Sequence, residues 1–353
     1  MTETILTRRT LLRLLGATPL AGAAASGLTG SARSADLTKI KIVGAAAVNR
    51  PDLAFMYAGI PLGFYKQLGI DADFFTVGGS AQSIQLVATD QAQLGHAGMQ
   101  ELMAAKQKQP SLPVRAVYLQ DVGAGYEIVV PQNGPIKTLG ELKGKRIGVM
   151  TLASGAVPFV KAMLHQAGVQ ENQYEMLPVG TGAQALAALQ ADRVDALSLF
   201  RGQHAAIENL GITFHYFTVP YASSVLVANE AFLKSHREAL VHALQGIVLN
   251  SIYTETDPEG AVRTFWKVAG PPKGDETKEM HDGVHLIQRA TELWKNKNDK
   301  RKWGEMSDTD WTKLAQFSGM QITPQEVHAL YTNELIDEVN KIDPQIALRA
   351  AHG

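Results

Sequence analysis

Two stretches of this sequence repeat the same order of punctuation, and the repeat limits the fold more than any composition does. Leu68-Gly69-Ile70 leads to a strand-like run, then Gly78-Gly79-Ser80-Ala81-Gln82, a helical run and Leu94-Gly95-His96-Ala97. About a hundred residues later Ala167-Gly168-Val169 leads to a strand-like run, then Gly180-Thr181-Gly182-Ala183-Gln184, a helical run and Val194-Asp195-Ala196-Leu197. Tandem units of this kind predict two similar lobes facing one cleft. Each unit alternates short β-rich runs with helical ones. The first holds KIKIVGAA, IDADFFTV, LGHAG and VRAVYL, and the second holds RIGVM, YEMLPVG and VDALSLF. Strands joined by helical crossovers make a parallel sheet, so the class is α/β.

The helical run over 53–68 is expected to be one helix. After residues 223–228 the text turns helical to the end, in segments with no sheet of their own to cover. They are expected to return to the first lobe, making it discontinuous. The predicted division is an export signal over 1–35, a first lobe over 36–125 plus 228–353, and a second lobe over 126–227. Two crossings, near 123–130 and 221–228, would serve as the hinge.

Thr7-Arg8-Arg9-Thr10-Leu11-Leu12 opens a stretch that passes from basic to apolar to small residues, the order of an export signal. Cleavage is expected between Ser31 and Asp36, and the paired arginines suggest the Tat route, although a Sec signal also carries Arg-Arg. The sequence has no cysteine. It therefore offers no disulfide, no thiol nucleophile and no lipidation site, and a free periplasmic monomer is expected. Removing the signal leaves 29 basic against 33 acidic side chains, a mild balance that argues against a nucleic-acid partner.

Candidate ligand contacts cluster where strands give way to helices. Gly78, Gly79, Ser80 and Gln82 form one such turn, whose unpaired N–H groups suit an anionic oxygen; Ser154 with Gly155 and Thr181 with Gly182 repeat it in the second half. Singly, each also reads as a plain N-cap with a turn glycine. Together, at the carboxyl ends of strands in two facing lobes, they are predicted to converge on a ligand.

Arg201 follows the strand 196–200 and would grip a carboxylate or sulfonate bidentately, with a surface arginine or an interlobe salt bridge as the rival role. Met99, Gln100 and Glu101 open the helix after the third strand, and Asp121 follows the fourth. The two acids would neutralise a ligand amine, or serve as a first-turn acid and a hinge cap. Tyr221 joins Tyr126 and Phe200 as a possible aromatic wall, against ordinary core packing. The ten histidines show no metal-ligand spacing, and there is no G-x-S-x-G elbow or P-loop, so no metal, cofactor or catalytic group is predicted.

LKGKRIGVMTLASGAVPF, the later HQAGV and QADRVDAL, and FYKQLGIDADFFTVGGSAQSIQLVATDQAQLGHAG in the first half resemble the sulfonate, taurine, nitrate and thiamine-pyrimidine-precursor binding proteins of ABC importers. The resemblance covers about residues 38–290; beyond Pro271 it is generic helix. It implies a two-lobed type II periplasmic-binding-protein fold, a small polar, anionic ligand in the interlobe cleft, and an inner-membrane permease as partner. Enzymes on the same fold, the thiamine-pyrimidine synthases and certain desulfinases, depend on cysteine, which this chain lacks. A periplasmic sensory protein is the other alternative.

Overall fold

A computed structural model describes residues 37–152, 154–219, 221–294 and 300–353. The expected export signal, 1–35, lies outside the described residues. Among the described residues ten strands form two mixed five-stranded sheets. The first contains β1 (Thr38–Gly44), β2 (Ile70–Thr76), β3 (Leu94–Gly98), β4 (Val114–Asp121) and β10 (Ser224–Asn229) in the order β2-β1-β3-β10-β4. The second contains β5 (Tyr126–Pro131), β6 (Arg146–Val149), β7 (Glu175–Pro178), β8 (Ala196–Phe200) and β9 (Phe214–Phe217) in the order β7-β6-β8-β5-β9.

The predicted repeat is visible in the pairing. β1 runs parallel to β2 and β3, and β6 runs parallel to β7 and β8, while one antiparallel strand is inserted into each sheet: β10 between β3 and β4, and β5 between β8 and β9. The chain leaves the first sheet between β4 and β5 and returns between β9 and β10. Because all six residues of β10 are buried in the first sheet, the return falls before Ser224. The expected limit of the second lobe at residue 227 cuts this strand.

The two crossings are tied together. Ser223 Oγ donates to Gly123 O at 2.6 Å and accepts from Gly125 N at 3.0 Å, Ser223 N donates to Asp121 O at 3.0 Å, and Ser224 Oγ donates to the Asp121 carboxylate at 2.5 Å.

Helices α1 (Ser80–Ala88), α2 (Met99–Lys108), α3 (Ala156–Gln166), α4 (Ala183–Gln190) and α5 (Arg201–Glu208) follow the strands as predicted. The single helix expected over 53–68 is instead a series of short turns, Pro51–Leu53, Ala54–Tyr57, Gly59–Leu62 and Phe64–Gln67. Pro61 has no N–H to donate, and Gly63 turns left-handed at φ 78°, which closes one turn and starts the next.

Helix α6 (Arg237–Thr256) packs against the turn Ala54–Tyr57 and the C-terminal helix Gln345–His352. It buries Leu240, Leu244, Ile247 and Val248 in the first-lobe core, each contributing about 1.5–3 kcal/mol. Asn250 on the same helix donates to Phe55 O and Tyr65 Oη, both at 3.0 Å, and so locks the turns to the helix. Helix α7 (Pro258–Ala269) continues this layer. The next helix, α8 (Glu276–Thr291), does not stay with the first lobe as expected: it packs both on the turn Pro51–Leu53 and on α5 of the second lobe. Helix α9 (Asp308–Phe317) packs on α2.

Candidate functional site

The cleft between the sheets holds a cavity of about 940 Å³, lined from both lobes by the segments that follow β1, β2, β3, β6, β7 and β8. In sheets of this kind ligands bind outside the carboxyl ends of the strands. Eleven of the predicted residues line it: Gly78, Gly79, Ser80, Gln82, Gln100, Glu101, Ser154, Gly155, Thr181, Gly182 and Tyr221.

Three predicted residues do not line the cavity. Met99 is fully buried beneath it as the first residue of α2. Asp121 is the acceptor that pins the two crossings, with no face on the cleft. Burial raises its carboxyl to about 7, the Ser224 hydrogen bond only partly opposing the rise.

Arg201 turns away from the cleft. Its guanidinium lies 2.6 Å from Glu127 and 2.8 Å from Glu292, so the interlobe salt bridge is the role the structure gives it. The cause is the pleat: on β5, Tyr126 faces the cavity, which sends its neighbour Glu127 to the opposite face. There Glu127 is fully buried and draws in Arg201, Arg289 at 3.4 Å and His204 at 3.4 Å. Arg289, on α8, also stacks over the Tyr216 ring at 4.4 Å. Burial holds His204 toward its neutral form in spite of Glu127.

The helix starts are built differently from plain caps. Ser80 is the first helical residue, and its Oγ accepts from Gly98 N at 2.9 Å. Gln82 folds back so that its side-chain oxygen accepts from Gly78 N at 3.0 Å, and Gln203 does the same for Phe200 N at 3.0 Å. Of the donors expected to meet a ligand anion, Gly78 N is therefore already used. Gly182 caps α4 at φ 57°, ψ −134°, a conformation an L side chain resists. Ser154 Oγ is buried without a partner.

Other cavity residues carried no signal strong enough to single them out. Arg50, after β1, reaches the cavity, but its guanidinium is bound at both ends by Asp52, at 2.9 and 2.8 Å. Asp52 in turn sits against the start of α5, where a Cβ on Gly202 would come 2.6 Å from its carboxylate. His96 on β3 lines the cavity with both ring nitrogens buried and unpartnered, and Ser198 Oγ on β8 is likewise unpartnered. Burial lowers His96 to about 4, so it is a neutral imidazole at ordinary pH. The position of Arg50 past the end of β1 was the available clue; the strand signal LGHAG places His96 but not the direction of its ring.

One wall is aromatic. Phe200, Tyr126, Phe159, Phe317 and Tyr221 form a chain of ring contacts, with centroids 5.6, 6.1, 5.6 and 5.1 Å apart in that order. The expected Tyr126, Phe200 and Tyr221 are all on it. Phe159 and Phe317 were not foreseen, and Phe317 comes from α9, in the part of the sequence that reads only as helix.

Across the cleft Glu101 approaches the start of α3. A Cβ on Gly155 would come 3.0 Å from Glu101 Oε1 and 2.7 Å from Tyr126 Oη, so only glycine admits both groups. Burial raises the Glu101 carboxyl above its ordinary value, its own backbone N–H only partly offsetting this. Burial, assisted by Glu101, keeps the Tyr126 hydroxyl protonated.

The fold is shared with known proteins. The NMT1/THI5-like family model matches residues 50–261, more than half of the chain. The chain belongs to the NMT1/THI5-like family. No curated protein sequence matches it. Among solved structures it is similar to the alkanesulfonate-binding protein SsuA of Xanthomonas axonopodis pv. citri, bound to MOPS, at 15% identity and TM-score 0.56, over 86% of this chain and 98% of that one.

It is also similar to a putative periplasmic sulfonate-binding protein SsuA of Methylobacillus flagellatus KT, at 15% identity and TM-score 0.59, covering 87% and 94%. The periplasmic nitrate-binding protein NrtA of Synechocystis PCC 6803 matches at 11% identity and TM-score 0.59, covering 87% and 89%. At such identities the likeness establishes the type II periplasmic-binding-protein fold. α8 and α9, and with them Arg289, Glu292 and Phe317, lie beyond residues 50–261 that the family model matches.

Proposed function

We propose that this NMT1/THI5-like chain is the extracytoplasmic solute-binding component of an ABC importer, exported by its first 35 residues, acting as a monomer in the periplasm and passing a small polar organic molecule to a membrane permease. The observation that carries the reading is the cavity of about 940 Å³ between two lobes linked by two chain crossings and bridged by α8, large enough to enclose a small molecule. The names of the structural relatives, binding proteins for sulfonate and nitrate, support the same class. An anionic end of the ligand would rest at Ser80, Ser154–Gly155 and Thr181–Gly182, where helix starts face the cavity. No helix among the described residues is long and apolar enough to cross a membrane.

Binding is favoured over catalysis by the cavity's chemistry: among the described residues its unpartnered groups are hydrogen-bonding side chains, with no nucleophile hydrogen-bonded to a base. The test is native mass spectrometry of protein purified from the periplasm, followed by scattering on the stripped and reloaded protein. A small molecule released unchanged, with compaction on reloading and about 2.7 kcal/mol of stabilisation at a hundred times its Kd, is expected. Recovery of a converted product would overturn the importer reading.

A further inference from the structure

The charges around the cavity do not match a simple anion. Among the described residues the ionisable side chains on its wall are Arg50, His96, Glu101, Tyr126 and Tyr221. Arg50 is neutralised by the two contacts with Asp52, and Arg201 spends its charge on Glu127 and Glu292 behind the second sheet. His96 is held neutral and the Tyr126 hydroxyl protonated by burial. Glu101 is left as an acid on the wall with no cation paired to it.

A half-buried carboxylate without a counter-charge is disfavoured and persists where a partner arrives from outside. The same cavity wall carries groups that are likewise unfilled, namely both nitrogens of His96, Ser154 Oγ and Ser198 Oγ. Together they suit a ligand that both donates and accepts hydrogen bonds. The aromatic chain from Phe200 to Tyr221 supplies an apolar wall of the kind that takes a flat ring.

We infer that the ligand is an aromatic or heteroaromatic compound bearing a cationic or N–H donor nitrogen, and that Glu101 is the residue that receives this nitrogen while the ring lies against Tyr126, Phe159 and Phe317. The inference rests on the solute-binding reading and deepens it. Any acidic group at the helix starts would make the ligand a zwitterion. It excludes simple inorganic anions and alkyl sulfonates as the preferred ligands, since these offer neither a ring nor a donor to Glu101.

The experiment measures the dissociation constants of benzamidine, 4-(aminomethyl)benzoate and benzoate on the whole protein by calorimetry and thermal shift. Benzamidine and 4-(aminomethyl)benzoate should bind the wild-type protein and benzoate at least tenfold more weakly. Glu101→Gln should weaken the two nitrogen compounds by roughly 10- to 100-fold, the worth of a hydrogen bond to a charged group, and leave benzoate unchanged or improved. The wild-type comparison stands even if the variant fails to fold. Benzoate binding as tightly as benzamidine, benzamidine indifferent to Glu101→Gln, or no binding by any of the three would overturn the inference. Turnover of a bound compound would sink the importer reading and leave the assignment of Glu101 standing.

Discussion

Two glutamates, Glu127 behind the second sheet and Glu101 on the cleft wall, show what separates structure from site in this molecule. Glu127 is fully withdrawn from water behind β5, whereas Glu101, at the start of α2, is half-buried on the cavity wall. Glu127 is met by Arg201, Arg289 and His204, and through Arg289 and Glu292 the contact extends to the C-terminal end of α8. Glu101 is met by no cation and holds its carboxyl raised by burial. A carboxylate with its charge matched inside the protein is a fastener; one whose match is missing faces the place where a ligand enters. Asp121 is a third solution: its charge is removed by a proton, with Ser224 as donor.

The largest effect should come from breaking the fastener. Glu127→Ala leaves Arg201 and Arg289 without a buried counter-charge and is expected to cost about 3–5 kcal/mol in urea unfolding of the ligand-free protein. Arg201→Ala should cost less, about 1–3 kcal/mol, because Arg289 and His204 remain on Glu127. Both variants should keep ligand affinity within a few-fold once folded. Arg201→Ala with unchanged stability and severely reduced binding would place Arg201 in the cleft after all and erase the contrast.

A smaller effect separates Asp121 from His96 by pH. The His96 value is lowered to about 4 from an ordinary 6.5, so its contribution is present above pH 6.5 and is lost as pH falls toward 4. The Asp121 value is raised from 3.8 to about 7, so its contribution is present below pH 3.8 and is lost as pH rises toward 7. Between pH 4 and 6.5 the two slopes oppose each other and flatten the wild-type curve. Asp121→Asn removes one of them, and its unfolding free energy should then rise with pH across this window, by at most about 1.4 kcal/mol per unit. Glu101, raised by burial, and His204, lowered by it, are common to both proteins and drop out of the comparison, so a curve no steeper than that of the wild type would show that Asp121 is open to water.

The smallest change is expected at Glu101 without ligand. Glu101→Gln keeps the shape and removes an unmatched, half-buried charge, so the melting temperature should stay level or rise, within about 1 kcal/mol. A loss as large as that of Glu127→Ala would reveal a hidden partner and make Glu101 a second fastener.

The sequence by itself determined the architecture, because local order is written locally. The repeated glycine punctuation, the alternation of β-rich and helical runs and the strand ends that follow them fix two sheets and a cleft between their carboxyl edges. The same local signals placed Ser80, Gln100, Glu101, Ser154, Gly155 and Thr181 on the cavity wall, since residues that leave a strand toward a helix arrive at that edge by construction.

Only the tertiary structure decided where charge goes. Arg201 also stands at a strand end, yet its side chain follows the Glu127 face of the pleat and meets Glu292, 91 residues away. Arg50 is silenced by Asp52 two residues on. The aromatic wall is closed by Phe317, 158 residues beyond its neighbour Phe159, from a helix whose text carries no mark of its destination. The physical reason is range: turns and periodicity act over a few residues, whereas the pairing of a buried charge and the closing of a wall depend on which distant segment packs beside them.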